Sequence, residues 1–311
     1  MQALVAAGDA PGGVRVDDVD EVQPRDDEAH VEVRAVSLNR GEVRKLPDLA
    51  AGTVPGWDVA GTVAEAAADG SGPAAGTRVV GLVESGAWAE RVAVPTVQLA
   101  ALPDEVSFAA AATLPVAGLT AYRALALGGW LVGRRVLVTG ASGGVGRIAV
   151  QLARVGGAEV TALAGSSRRL TGLDALGAEV LVEELEPDGE TFDLVLESVG
   201  GATLAAALER VAAGGLVVSF GNSAGEATTF SARTLYGRAT AARLYGFLVF
   251  EELARTRSGA RDLRVLAELV AVGRLDPQVA LEVGWGDAER AIQALQDRQV
   301  AGKAVLHLDG R

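Results

Sequence analysis

The sequence predicts an α/β protein in two parts, a β-rich domain and a doubly wound parallel sheet with helices on its faces. Three observations carry this. Roughly the first hundred residues are short strand-like runs cut by turns. From about residue 117 strand-like and helical runs alternate, the pattern of βαβ units. Within that alternation a glycine cluster joins an apolar run to an amphipathic one, Val136-Leu137-Val138-Thr139-Gly140-Ala141-Ser142-Gly143-Gly144-Val145-Gly146.

In chain order, Val31 to Val36 alternates with the period of a half-buried strand, and Val59 to Val63 and Arg78 to Val83 look alike. Asp69-Gly70-Ser71-Gly72-Pro73 reads as a turn, and the alanine-rich residues 64–76 as a surface loop. In the second part the strand-like runs are Val136–Val138, Val160–Leu163, Val180–Val182, Leu194–Leu196 and Leu216–Phe220. Helical runs lie between them at Arg147–Val155 and Leu204–Val211, and the acidic run Glu183 to Glu190 reads as a solvated connection. After about residue 255 the alternation stops. Helical segments at Asp262–Val272 and Asp287–Leu295 and a strand-like Lys303–Leu308 either complete the first domain or form a separate cap, and spacing does not choose.

The glycine turn points to chemistry. A helix that begins at such a turn offers free backbone N–H groups and the positive end of its dipole to an anion, and a Cβ would block close approach. With a strand before it and a helix after it, the turn reads as a dinucleotide site. The chain of 311 residues is long enough for two domains, and 49% hydrophobic and 22% charged residues describe a large core. A net charge of −12 argues against nucleic acid or an anionic membrane as partner. Without cysteine there is no disulfide, thiolate metal site or thiol nucleophile. Met1 to Gly13 lacks the pattern of a signal peptide, and the longest apolar stretch, Phe108 to Leu119, is short and contains Pro115. A cytoplasmic enzyme is the expectation.

Six blocks in order make the reading specific. They are Pro55-Gly56-Trp57-Asp58-Val59-Ala60-Gly61, Leu114-Pro115-Val116-Ala117-Gly118-Leu119-Thr120-Ala121-Tyr122, the glycine turn, Glu197-Ser198-Val199-Gly200-Gly201, Ser219-Phe220-Gly221-Asn222-Ser223-Ala224-Gly225 and Gly302-Lys303-Ala304-Val305-Leu306. Together they resemble the medium-chain dehydrogenase/reductase superfamily, and within it the zinc-free NADPH:quinone oxidoreductases, the zeta-crystallin-like group. The resemblance covers nearly the whole chain. It implies a GroES-like catalytic domain over residues 1–116, completed by 256–311, and a Rossmann NADPH-binding domain over 117–255, with a cofactor cleft at their boundary. It also implies a homodimer joined through sheet edges.

Zinc-dependent relatives bring a Cys from the segment matching Ser37-Leu38-Asn39 and a His-Glu pair from that matching Trp57-Asp58. Asn39, Trp57 and Asp58 stand there, and the two histidines, His30 and His307, lie in no ligand pattern, so no metal is expected. That disfavours alcohol dehydrogenase chemistry and favours acceptors that spread incoming charge over a conjugated system. NAD-specific sites carry an acid about 20 residues past the glycine turn. Here Leu163-Ala164-Gly165-Ser166-Ser167-Arg168-Arg169 has none, and Gly165, Ser166, Arg168 and Arg169 suit a 2′-phosphate. NADPH is the expected cofactor, although Glu183 and Glu184 place negative charge nearby.

By the same resemblance, Ser142, Gly143, Gly144 and Val145 bind the pyrophosphate, and Asn39 and Thr120 lie near the nicotinamide ring. Phe220, Gly221 and Asn222 lie near the ribose and diphosphate, Tyr245, Gly246 and Phe247 beside the carboxamide, and Lys303 near the mouth. The catalytic candidates are Asn39, Arg44 and Tyr245. Quinone-binding relatives often carry a Tyr near the position of Arg44, and Glu42 stands where an Asp is usual. Arg44 either binds an anionic or phenolate acceptor or points to solvent. Three functions stay open: NADPH-dependent reduction of a quinone or α,β-unsaturated carbonyl, a dedicated enoyl reductase, and a low-turnover NADPH-binding protein.

Overall fold

A computed structural model describes residues 1–186 and 189–308. Two compact units emerge, Met1–Leu119 with Leu253–Arg311, and Thr120–Glu252. The first unit holds strands β1 (Gln2–Ala6), β2 (Val14–Asp18), β3 (Glu28–Leu38), β4 (Asp58–Glu65), β5 (Arg78–Leu82), β6 (Arg91–Pro95) and β7 (Leu99–Ala101). The second holds β8 (Arg135–Thr139), β9 (Glu159–Leu163), β10 (Val180–Val182), β11 (Phe192–Glu197), β12 (Val211–Ser219) and β13 (Arg243–Gly246). The chain then returns to the first unit as β14 (Val279–Gly284) and β15 (Lys303–His307).

In the first unit β1 and β2 pair as an antiparallel ribbon. The main sheet runs β14-β15-β3-β4-β5-β7, with β6 paired to β3. The eleven-residue β3 is long because one edge serves two partners. Glu28 to Glu32 pair with β6, and Ala35 to Leu38 pair with β15, while β4 covers the other edge. Val31, Val33 and Ala35 point inward as the alternation requires, with Glu32 and Arg34 between them on the outer face. The C-terminal strands therefore join the N-terminal sheet directly, and Val283, Ala304 and Leu306 share a core with Val31, Val36, Val63 and Val94.

The second unit is a six-stranded, all-parallel sheet ordered β10-β9-β8-β11-β12-β13. From β8 the sheet grows outward through β9 to β10, then resumes on the other side of β8 with β11. This reversal is the switch point of a doubly wound fold. Apolar residues fill its centre because helices cover a parallel sheet, and Val136, Leu137, Val138, Val195, Leu196, Val217 and Val218 are fully enclosed.

Several elements differ from the sequence expectation. The helix expected over Leu204–Val211 spans Gly201–Arg210, and Val211 already opens β12. The apolar stretch around Pro115 is helix at Phe108–Ala112 and a wide turn at Leu114–Gly118, where proline removes a backbone donor. Strands β13 and β14 carried no clear pattern. Of the acidic run from Glu183 to Glu190, Pro187 and Asp188 lie outside the described residues. Among the described residues no helix is long and apolar enough to cross a membrane.

Candidate functional site

In a parallel sheet every strand ends on the same side, and here those ends gather the nucleotide-binding candidates. Thr139 of β8 is level with Leu163 of β9, and Glu197 of β11 with Ser219 of β12, itself level with Gly246 of β13. Ser142 to Val145, Gly165 to Arg169, Phe220 to Asn222 and Phe247 directly follow these ends. Ligands of open parallel sheets bind outside the carboxyl ends at the switch point, which lies between β8 and β11.

The glycine turn has the geometry an anion requires. Gly143 precedes the twelve-residue helix Gly144–Val155, and no side chain caps that helix. Its first amides have no intrahelical acceptor. Ser142, Gly143, Gly144 and Val145 are half-buried, and within the turn the Gly143 N–H donates to Gly140 O at 3.0 Å. Behind the turn, a Cβ on Gly146 would sit 2.6 Å from Ala141 Cα and from Gly140 O, so this glycine lets the helix pack on its own strand. After β9, a Cβ on Gly165 would meet nothing within 4 Å. Protein packing does not require that glycine, and the open space beside it suits a ligand group. Arg168 is exposed and Arg169 half-exposed on the short helix Ser167–Leu170.

The loops after β11 and β12 are tied to this turn. Glu197 is fully buried, and its Oε1 accepts from Val199 N–H at 2.7 Å, Gly200 N–H at 3.0 Å and Thr139 Oγ1 at 3.2 Å. Burial pushes its carboxyl above the usual range against those donors. Ser198 Oγ donates to Thr139 O at 3.2 Å, and Phe220 N–H to Glu197 O at 2.9 Å. Gly221 and Asn222 are exposed on the same edge.

Of the ring-side candidates in this unit, Thr120 is buried on the helix Leu119–Leu127 and Phe247 is buried after β13, whereas Gly246 is exposed. Tyr245, on the edge strand, donates its hydroxyl to Glu252 Oε2 at 3.3 Å, and Arg123 Nη2 donates to Glu252 Oε1 at 3.0 Å. Tyr245 thus has a defined partner for its proton.

The first unit brings together a buried polar cluster. Asp58 opens β4, is fully enclosed, and receives four donors. Its Oδ2 accepts from Ser37 Oγ at 2.5 Å, Asn39 Nδ2 at 2.7 Å and Lys303 Nζ at 3.3 Å, and its Oδ1 from Val116 N–H at 2.8 Å. Lys303 Nζ also donates to Asn39 Oδ1 at 2.6 Å and Leu38 O at 3.0 Å. Glu42 Oε1 accepts from the backbone N–H of Asn39 at 2.5 Å and its Nδ2 at 3.2 Å, while Oε2 accepts from Trp57 N–H at 3.1 Å. Burial first, and the charge of Asp58 second, push the Glu42 carboxyl up to about 8, against the pull of Lys303 and the Asn39 donors.

This placement sharpens the reading of three residues. Lys303, expected near the mouth, is enclosed at 3% exposure inside the cluster. Both amide hydrogens of Asn39 are taken by carboxylates, so its side chain is held in place by protein partners. Arg44 is exposed on the six-residue helix Arg40–Lys45 that follows Asn39, beside Lys45, whose ammonium stands 5.4 Å from the Trp57 ring centre. Sequence reasoning passed over Ser37, Glu42 and Asp58 as a functional group. The available signal was a carboxylate inside an apolar run, Trp57-Asp58-Val59-Ala60, where a buried strand tolerates charge only with a partner. Among the described residues no three His, Cys, Asp or Glu side chains form a group that could hold a metal ion.

Comparison with known proteins finds relatives over both parts of the chain. A family profile described as alcohol dehydrogenase GroES-like domain matches residues 25–104, and one described as zinc-binding dehydrogenase matches residues 176–306. The chain is 35% identical over 214 residues to a 2-methylene-furan-3-one reductase of Solanum lycopersicum, covering 62% of this chain and 55% of that protein. It is 37% identical over 185 residues to a chloroplastic quinone-oxidoreductase homolog of Spinacia oleracea, covering 54% and 56%. The chain thus spans about half the length of these curated relatives. Its fold matches the crystal structure of an Escherichia coli quinone oxidoreductase complexed with NADPH, with a TM-score of 0.88 and 25% identity, covering 99% of this chain and 100% of the other.

Proposed function

We propose that this chain, which belongs to the medium-chain dehydrogenase/reductase superfamily and within it to the quinone-oxidoreductase-like group, is a zinc-independent NADPH-dependent oxidoreductase that reduces a quinone or α,β-unsaturated carbonyl. The observation that carries the reading is the carboxyl edge of the parallel sheet. There an uncapped helix N-terminus and the open space at Gly165, flanked by Arg168 and Arg169, converge beside the switch point.

These residues fit NADPH. Ser142, Gly144 and Val145 would hold the pyrophosphate through backbone donors, and Gly143, whose N–H is bonded to Gly140 O, would allow its close approach by lacking a Cβ. Gly165, Ser166, Arg168 and Arg169 would hold the 2′-phosphate, with Phe220, Gly221 and Asn222 along the ribose side. Bound NADPH supplies the hydride, so the protein's own contribution is orientation and exclusion of water. Reduction of an enone also needs a proton at the α-carbon, which in this reading comes from Tyr245, hydrogen-bonded to Glu252, or from solvent. Conjugated acceptors need no Lewis acid, which suits a chain without cysteine. A second reading, a dedicated enoyl reductase for an anionic acyl substrate, is favoured by exposed Arg44 and Lys45 on the helix after Asn39. We also propose a cytoplasmic homodimer, with neither nucleic acid nor membrane as partner.

The test is NADPH oxidation by chelator-treated protein with 1,4-benzoquinone, 9,10-phenanthrenequinone and a simple enone in parallel, with NADH as the control cofactor. Turnover that survives chelation and prefers NADPH supports the proposal. NADPH binding without oxidation by any acceptor overturns it in favour of a specialised acyl substrate or a binding role.

A further inference from the structure

We propose that Lys303 is a positioning residue, whose buried ammonium pins the Asn39 amide and, through Asn39 and Asp58, seats the helix Arg40–Lys45 against β4. The proposal rests on the reductase reading above for its catalytic consequence, but not for its geometry.

Lys303 joins three parts of the first unit. It opens β15, and its ammonium reaches Leu38 O at the end of β3, Asn39 Oδ1 at the entry to the helix, and Asp58 Oδ2 at the start of β4. An ammonium has three donors, and all three find oxygen. The neighbouring residues Ala304, Val305 and Leu306 are apolar and fully enclosed, so β15 packs without a cation. A buried ion pair adds little stability over well-packed apolar residues, so this one is better explained by what it places than by what it stabilises.

What it places is an amide held from both ends. Asn39 turns its oxygen to Lys303 and its nitrogen to Asp58 and Glu42, and a half-turn of the side chain would set like against like at both. The backbone N–H of the same residue is bound by Glu42, three positions on, which closes the first turn of the helix. Arg44, the exposed candidate for the acceptor, is carried on that helix. Loss of the ammonium frees one end of Asn39 and leaves the buried Asp58 carboxylate without its compensating charge.

The experiment compares the full-length wild type with Lys303→Met and with Lys303→Met/Asp58→Asn. The single variant leaves a buried carboxylate unpaired and is expected to lower Tm. In the double variant no charge is left alone, so Tm is expected to recover. The wild type contains two asparagines, Asn39 and Asn222, and Asp58→Asn adds a third beside Asn39, so selective 15N-asparagine labelling resolves the Asn39 side-chain amide once Asp58→Asn alone has been measured to assign the added signal and to separate its effect from that of Lys303. Expected for the double variant are a recovered Tm, NADPH affinity within about twofold, kcat for 9,10-phenanthrenequinone lowered about tenfold or more, and loss of exchange protection at the Asn39 amide. A kcat that recovers together with Tm overturns the catalytic consequence. Asn39 protons as protected as in the wild type overturn the positioning itself. Should the wild type lack NADPH turnover, the reductase reading fails, and the amide protection alone decides for or against the positioning.

Discussion

Glu42 and Asp58 are two carboxylates in a dry interior with one ammonium between them, and that imbalance has a thermodynamic consequence. The folded state holds the Glu42 proton up to about pH 8, while its ordinary value is 4.5. Between those limits the native state binds a proton that the unfolded chain has released, so stability falls as pH rises from about 4.5 to about 8. The slope from this one group is at most about 1.4 kcal/mol per pH unit. Urea midpoints measured across that range are expected to decline, and Glu42→Gln is expected to flatten the decline. The glutamine protein should be less stable at acid pH, because its NH2 must face either the Trp57 or the Asn39 N–H. A second prediction concerns Arg168 and Arg169. Replacing both by Ala removes charge-assisted bonds to a 2′-phosphate, so the NADPH Kd should rise about tenfold or more while that of NADH stays the same. An equal loss for both cofactors would place the arginines elsewhere. The pair was legible in sequence because it is local, five and six residues past the end of β9. The Glu42 cluster was not, because Lys303 lies far along the chain from its partners and no local pattern reports a long-range contact.

At the scale of elements, the helix Gly144–Val155 shows why some glycines are fixed by packing and others by a ligand. Gly146 lies against the Gly140-Ala141 backbone, which cannot yield as a side-chain tip can. Gly146→Ala is therefore expected to destabilise the protein by about 1–3 kcal/mol in denaturant titration and to weaken NADPH binding with it. Gly165 faces open space, so Gly165→Ala should keep its denaturant midpoint and lose NADPH affinity alone. If both variants changed stability equally, the distinction would collapse. Strands β8, β9 and β11 were legible because burial on both faces demands continuous apolar runs. β13 was not, since all four of its residues are exposed and it reads Arg-Leu-Tyr-Gly. β14 was obscured likewise by Glu282 and a terminal glycine. Edge strands owe their existence to a neighbour already in place, and sequence shows such neighbours only once the sheet order is known.

For the molecule as a whole, the exposed edge of β13 must be reconciled with a net charge of −12. Like charge keeps copies of the chain apart, most strongly at low salt. An edge strand whose outer side has no neighbour and carries apolar side chains invites pairing all the same. Leu244 is 51% exposed on β13, and Leu248 and Tyr236 stand exposed close by in sequence. A second set of exposed apolar residues, Trp130, Val132 and Val155, flanks β8 and the helix after it. Of these two sets only the first lies on an edge strand, and β10 at the opposite edge, although it exposes Val180 and Leu181, is shorter than β13, so the homodimer proposed above should form through β13. Light scattering should then find a dimer that dissociates more readily as salt is lowered. Leu244→Lys, which sets a further charge against its own copy, should give a monomer, and Val132→Lys should remain dimeric. A monomer from Val132→Lys, with Leu244→Lys unaffected, would move the interface to the other set and leave the β13 edge open in solution.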